Sequence, residues 1–250
     1  MRRFWGALKS VRLTVVLLAC LATGCVIATL VPQGAEAHTC LERFPRPLAE
    51  FLLVSGFSVY FKSAVFLIPV SLFFINLSVC TVDRLVRELA KNARRRHGPD
   101  ILHFGLMLLV IAAALTAAGR RSDAALLGVG DRMDLPGGTQ VTLEAFSHET
   151  YADGRPKEWT STVSVARNGA VVLRSFPIRV NHPLSAGGFS IYQMSHATRK
   201  IPVAADVHEE ELSGLMVVRD PYFNLVLAAL AITGVGLVLT FAQKLGDLPT

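Results

Sequence analysis

Charge is what this sequence has least of: 18% of its 250 residues are Asp, Glu, Lys or Arg, against 52% hydrophobic residues. A soluble chain of this size carries more charge than that, so an ordinary water-soluble enzyme is excluded and a membrane protein is indicated. Cysteine is scarce and poorly spaced for chemistry. Cys20, Cys25, Cys40 and Cys80 form no C-x-x-C pair, which excludes a thioredoxin-like site, and no C-x-x-C-H is present to attach haem covalently. Cys40 alone lies in a polar segment, without an evident intrachain partner. The only tryptophans are Trp5 and Trp159. No Ser/His/Asp set, carboxylate pair or phosphate-binding loop stands out, so the chain reads as a binder or scaffold and not as a catalyst on its own.

The net charge of +6 invites a nucleic-acid reading, which the distribution of the charges removes. They gather at Arg2, Arg3, Lys9 and Arg12, between Arg84 and Arg96, and at Lys244. The polar stretch 120–221 holds eleven basic and twelve acidic residues, hence no cationic face for phosphate, and no nucleic-acid partner is expected. The basicity is a topology signal.

Four apolar runs are long enough to cross a bilayer. Residues 1–31 give a cytoplasmic N-terminus and a first span over 13–31. Leu21 to Cys25 imitates a lipoprotein site and Ala35-Glu36-Ala37 a signal-peptidase site, but the run continues past Cys25 and exceeds a signal-peptide core. Residues 32–62 form an extracytoplasmic segment, in which 48–57 has an amphipathic helical pattern suited to the membrane surface. The second span, 63–82, contains Pro69 and Asn76, and Asn76 is expected to face protein. Residues 83–100 hold six Lys/Arg in a short loop, the strongest positive-inside signal in the chain. The third span covers 101–118 and ends in alanine-rich turns that favour close helix packing. The fourth, 222–242, starts after Asp220-Pro221, with Asp220 as N-cap and a small-residue face at Thr233-Gly234-Val235-Gly236. A tail at 243–250 returns to the cytoplasm, where both termini lie.

Residues 119–221 then stand outside the cytoplasm. Their patterning alternates, as in Thr139 to Leu143 and Thr162 to Val165, and Asn168-Gly169 marks a hairpin of type I′. Asp153-Gly154 and Pro136-Gly137-Gly138 mark further turns. A β-rich domain is expected, an antiparallel sandwich or open barrel tethered at both ends. His148, His182, His196 and His208 have spacings that suit no metal motif, Asn181-His182-Pro183 reads as a strand end, and Glu209-Glu210-Glu211 reads as a solvated face.

His103 is the imidazole inside the third apolar run, close after the basic block. With Asp100 as N-cap it falls in the first helical turn, where the helix dipole disfavours an imidazolium and leaves a ring able to bind a metal. The plainer alternative is an interfacial histidine reaching water or a neighbouring carbonyl, which its position near the edge favours.

Several stretches, in order, resemble the ResB/CcsB family of cytochrome c biogenesis proteins. They are Ser10-Val11-Arg12-Leu13 running to Pro32-Gln33, Asn76 to Cys80 with Arg84, and His103-Phe104-Gly105. Further along come Tyr151-Ala152-Asp153-Gly154, Val180 to Leu184, Gly188 with Tyr192-Gln193, and Asp220-Pro221. The resemblance implies four transmembrane helices with a β-rich extracytoplasmic domain between the third and fourth, in the inner membrane. It implies a subunit that holds or delivers haem b across the bilayer, with a tryptophan-rich ResC/CcsA partner, for attachment to apocytochrome c. The family's third-helix histidine is an axial haem ligand, and His103 stands at that position, which reverses the plainer reading. The external domain, expected to dock the partner or apocytochrome, is short for the family. The rival from another class is a non-haem scaffold or sensor anchored by its helices.

Overall fold

The computed structural model describes residues 6, 8–34, 37–91, 96–203 and 206–246, with the side chains of 201–208 outside that description. Arg2, Arg3, Trp5, Ala35-Glu36, Arg94-Arg95, the His208 ring and the end of the C-terminal tail therefore lie outside the described residues. The chain forms two compact units, residues 1–113 with 225–250, and residues 114–224.

Among the described residues four helices are long and apolar enough to span a membrane: α1 (Val11–Leu30), α4 (Ala64–Leu89), α5 (Gly98–Gly119) and α6 (Phe223–Leu245). The chain is a multi-pass membrane protein. Between α1 and α4 come two short helices, α2 (Ala37–Arg43) and α3 (Arg46–Val54), and a 3₁₀ segment, Phe57–Lys62. The amphipathic pattern at 48–57 thus corresponds to α3, which stops before Gly56 because that residue turns left-handed at φ 81°. Tyr60 is buried in the first unit, and a methyl group on Gly24 of α1 would collide with its hydroxyl.

The helix that carries the second span extends beyond residue 82. Helix α4 continues to Leu89, so the basic connection is helical for its first two turns. Hydrophobicity marks where a helix leaves the apolar layer, whereas the backbone hydrogen-bond ladder continues as long as its side chains allow. Here those turns are supported by ion pairs: Asp83 with Lys9, and with Arg87 at 3.1 Å. Asn76 is fully buried, accepting from the Thr14 hydroxyl at 2.6 Å and donating to the Leu8 carbonyl at 2.6 Å. It faces protein.

Helices α5 and α6 touch backbone to backbone at three levels. A methyl group on Gly98 or Gly105 would lie 2.6 Å from the amide nitrogen of Thr240 or Thr233, and one on Gly236 would collide with Leu102. The small residues that matter are therefore these glycines. In the alanine-rich turns only Ala112 is buried, and Gly234 meets nothing within 4 Å.

The second unit contains two four-stranded antiparallel sheets. One has the order β1 (Arg121–Leu127), β8 (Asp206–Arg219), β7 (Phe189–Val203), β6 (Leu184–Ala186). The other runs β2 (Arg132–Leu135), β3 (Thr139–Thr150), β4 (Pro156–Arg167), β5 (Ala170–Arg179). Alternate residues of both sheets fill one core, among them Val141, Leu143, Val163, Ile178, Ile191 and Leu215, each fully buried. Asn168 and Gly169 adopt φ 51° and 82° between β4 and β5, the two left-handed residues that a type I′ turn requires. The domain is a sandwich.

Candidate functional site

His103 occupies the second turn of α5, not the first. The His97 carbonyl accepts the Ile101 N–H at 3.0 Å, so the helix begins at Gly98 and Asp100 lies inside its first turn. Pro99 explains the difference: it has no N–H to lose and its fixed φ suits the first turn, so the helix forms around it and not after it. Asp100 still complements the helix dipole from there. Its carboxylate, 8% exposed, accepts from Arg84 of α4 at 2.8 Å and approaches His97 Nδ1 at 3.3 Å.

Arg84 also donates to the Arg96 carbonyl at 2.9 Å. Glu88, almost fully buried, accepts the Lys91 ammonium and the Arg96 N–H, both at 2.6 Å. Gln243 of α6 accepts the Gly98 N–H at 3.2 Å. The start of α5 is thus held by α4, by the connection and by α6.

Residues 100, 103 and 107 recur at helical spacing and share one face of α5. Asp100 joins that face to Arg84, and Met107 receives the Ser78 hydroxyl of α4 at 3.3 Å. His103 stands between these two levels, on the side of α5 that meets α4. Its Nδ1 is the one buried side-chain nitrogen or oxygen among the described residues with no hydrogen-bond partner. A buried ring nitrogen of this kind costs free energy unless something outside the chain satisfies it.

The chain matches the ResB-like family over residues 11–97 and 89–209. It belongs to that family. It is 25% identical over 270 aligned residues to the cytochrome c biogenesis protein CcsB of Synechococcus sp. strain CC9311, covering 81% of this chain and 62% of that protein. To CcsB of Synechococcus sp. strain WH7803 it is 37% identical over 114 residues, 43% of this chain and 26% of the other. It therefore spans less than two thirds of the length of these relatives. A solved cytochrome c haem lyase CcmF chain is similar at TM-score 0.41 and 14% identity, over 93% of this chain and 35% of that one.

Within the β-domain the histidines are partnered in ways their spacing hides. His148 and His196 stack with ring centroids 5.6 Å apart, and Trp159 lies 5.3 Å from His196. His148 Nδ1 is 3.2 Å from Glu211. His182 stacks on Phe176 at 5.6 Å and bridges to Arg179, closing a tight turn through Asn181 at φ 63°. Among the described residues no group of three or more His, Cys, Asp or Glu is arranged to hold a metal.

The acidic run is not simply solvated. Glu210 pairs with Arg199 at 2.6 Å and Glu209 with Lys200 at 3.4 Å, because the β7–β8 register sets these residues directly opposite one another. On the surface, Lys157 and Arg155 hold the carboxyls of Glu149 and Asp153 below the usual carboxylate range. All four cysteines are free thiols.

Proposed function

We propose that this chain is the ResB/CcsB-like subunit of a membrane cytochrome c synthase, holding haem within the bilayer and passing it, with a ResC/CcsA-like tryptophan-rich partner, to apocytochrome c. The observation that carries the reading is the orphaned Nδ1 of His103, buried at the position matching the family's third-helix histidine. A histidine whose ring finds no partner in its own chain suits an axial ligand to haem iron supplied from outside it. Haem is the cargo here. His103 would hold the iron from one face and leave the other to the partner.

Arg84 and Asp100 act by position. Their ion pair fixes the first turn of α5, and with it the depth and direction of the imidazole one turn later. The basic connection between α4 and α5 faces the cytoplasm on the positive-inside rule, which puts the β-domain on the opposite side of the inner membrane. With two tryptophans, Trp5 and Trp159, this chain would leave thioether formation to its tryptophan-rich partner. Its β-domain would dock that partner or apocytochrome.

The test is maturation of a reporter cytochrome c in cells that depend on this gene. His103→Ala is expected to abolish covalent haem attachment while the variant still reaches the membrane, and imidazole in the medium to restore part of it. Full maturation in the variant would favour a non-haem scaffold anchored by its helices.

A further inference from the structure

The base of the β-domain, where the chain arrives from the third span and departs for the fourth, contains a pocket of about 270 Å³. Arg120, Ser190, Tyr192, Asp220, Phe223 and Asn224 line it. Arg120 directly follows Gly119, the last residue of α5, and Phe223 opens α6. The pocket therefore sits at the depth where apolar helices end and lipid headgroups begin, and Tyr222 and Phe223 are the aromatic residues expected at that depth.

Arg120 is the one arginine in the lining, and because Ser190 and Val218 of the lining are paired across the ladder, Arg121 and Arg219 fall on the opposite face of the sheet. Arg121 and Arg219 are direct partners across the β1–β8 ladder, and Arg120 precedes Arg121. Among the described residues none of the three forms an ion pair, and the Arg219 guanidinium lies over the Phe189 ring at 5.6 Å. Asp220 is the only carboxylate in the lining, and its Oδ1 already accepts the Tyr222 N–H at 3.0 Å and the Thr116 hydroxyl at 3.4 Å. The three arginines thus have no counter-ion among the described residues, and Arg120, the one in the pocket, is open to an external anion. The positive-inside rule does not account for them either, because the topology signal is supplied by the connection between α4 and α5.

We propose that this pocket binds the phosphodiester headgroup of an anionic membrane lipid. Arg120 takes the phosphate charge, and Ser190, Tyr192 and Asn224 supply hydrogen bonds to headgroup hydroxyls. The site is independent of His103 and stands whether or not that residue binds haem.

The test uses the full chain in detergent, with bound lipid counted by native mass spectrometry and thermal stability followed in parallel. The probes are dioleoylphosphatidylglycerol, dioleoylphosphatidylcholine and inorganic phosphate. Phosphatidylglycerol is expected to be retained over phosphatidylcholine by about fivefold, the effect of one arginine at an anionic surface. Arg120→Gln is expected to remove that preference, Arg120→Lys to keep part of it, and Arg174→Gln, on exposed β5, to leave it intact. Equal retention of the two lipids, or an undiminished preference in a folded Arg120→Gln variant, would overturn the proposal. Stabilisation by inorganic phosphate as large as that by phosphatidylglycerol would make the pocket a free-anion site and overturn the lipid assignment.

Discussion

Removing the His103 imidazole takes away no hydrogen bond recorded within the chain, so His103→Ala is expected to retain its helix content and thermal midpoint. Circular dichroism in detergent checks this, and it separates a lost ligand from a lost fold. Arg84→Ala is expected to behave in the opposite way. It leaves the buried Asp100 carboxylate without its cation, a change that costs about 3 kcal/mol. A lowered thermal midpoint is the readout, and an unchanged midpoint would mean that the pair contributes nothing to holding α5. As the one ionisable residue in an apolar run, His103 was visible in the sequence. Its setting between the Arg84 and Ser78 levels was not, because that depends on a helix starting at Gly98, and Pro99 masks the start.

At the scale of elements, the α5–α6 seam depends on glycines that let two backbones meet. Gly236→Leu is expected to force the helices apart and destabilise the bundle by about 1–3 kcal/mol, the range for overpacking, whereas Gly234→Ala, with open space around it, is expected to be neutral. Thermal melts of the two variants side by side decide this. In the sandwich, Leu143→Ala removes a fully buried side chain and is expected to cost about 2–5 kcal/mol. The spans and hairpin turns were legible because hydrophobic length and Asn-Gly chemistry act locally. The stacked His148 and His196, and the ladder joining Arg199 and Lys200 to the glutamates, were not legible. They depend on strand register and on a bulge between Gln193 and Ser195, which no local pattern announces.

At the scale of the whole molecule, the topology makes a direct prediction about sidedness. An exposed Ala170→Cys on the β-domain is expected to react with a membrane-impermeant maleimide in intact spheroplasts, and Lys244→Cys only after the membrane is opened. The reverse pattern would invert the orientation. The chain covers 62% or less of the CcsB relatives described, so its partnership is the part most in need of experiment. The most direct measurement is the visible absorption spectrum of this chain co-purified with a ResC/CcsA-like partner, native against His103→Ala. A Soret band that is present in the native complex and lost in the variant is the expected result. A native complex without haem, or a band unchanged by the substitution, would contradict His103 as the ligand.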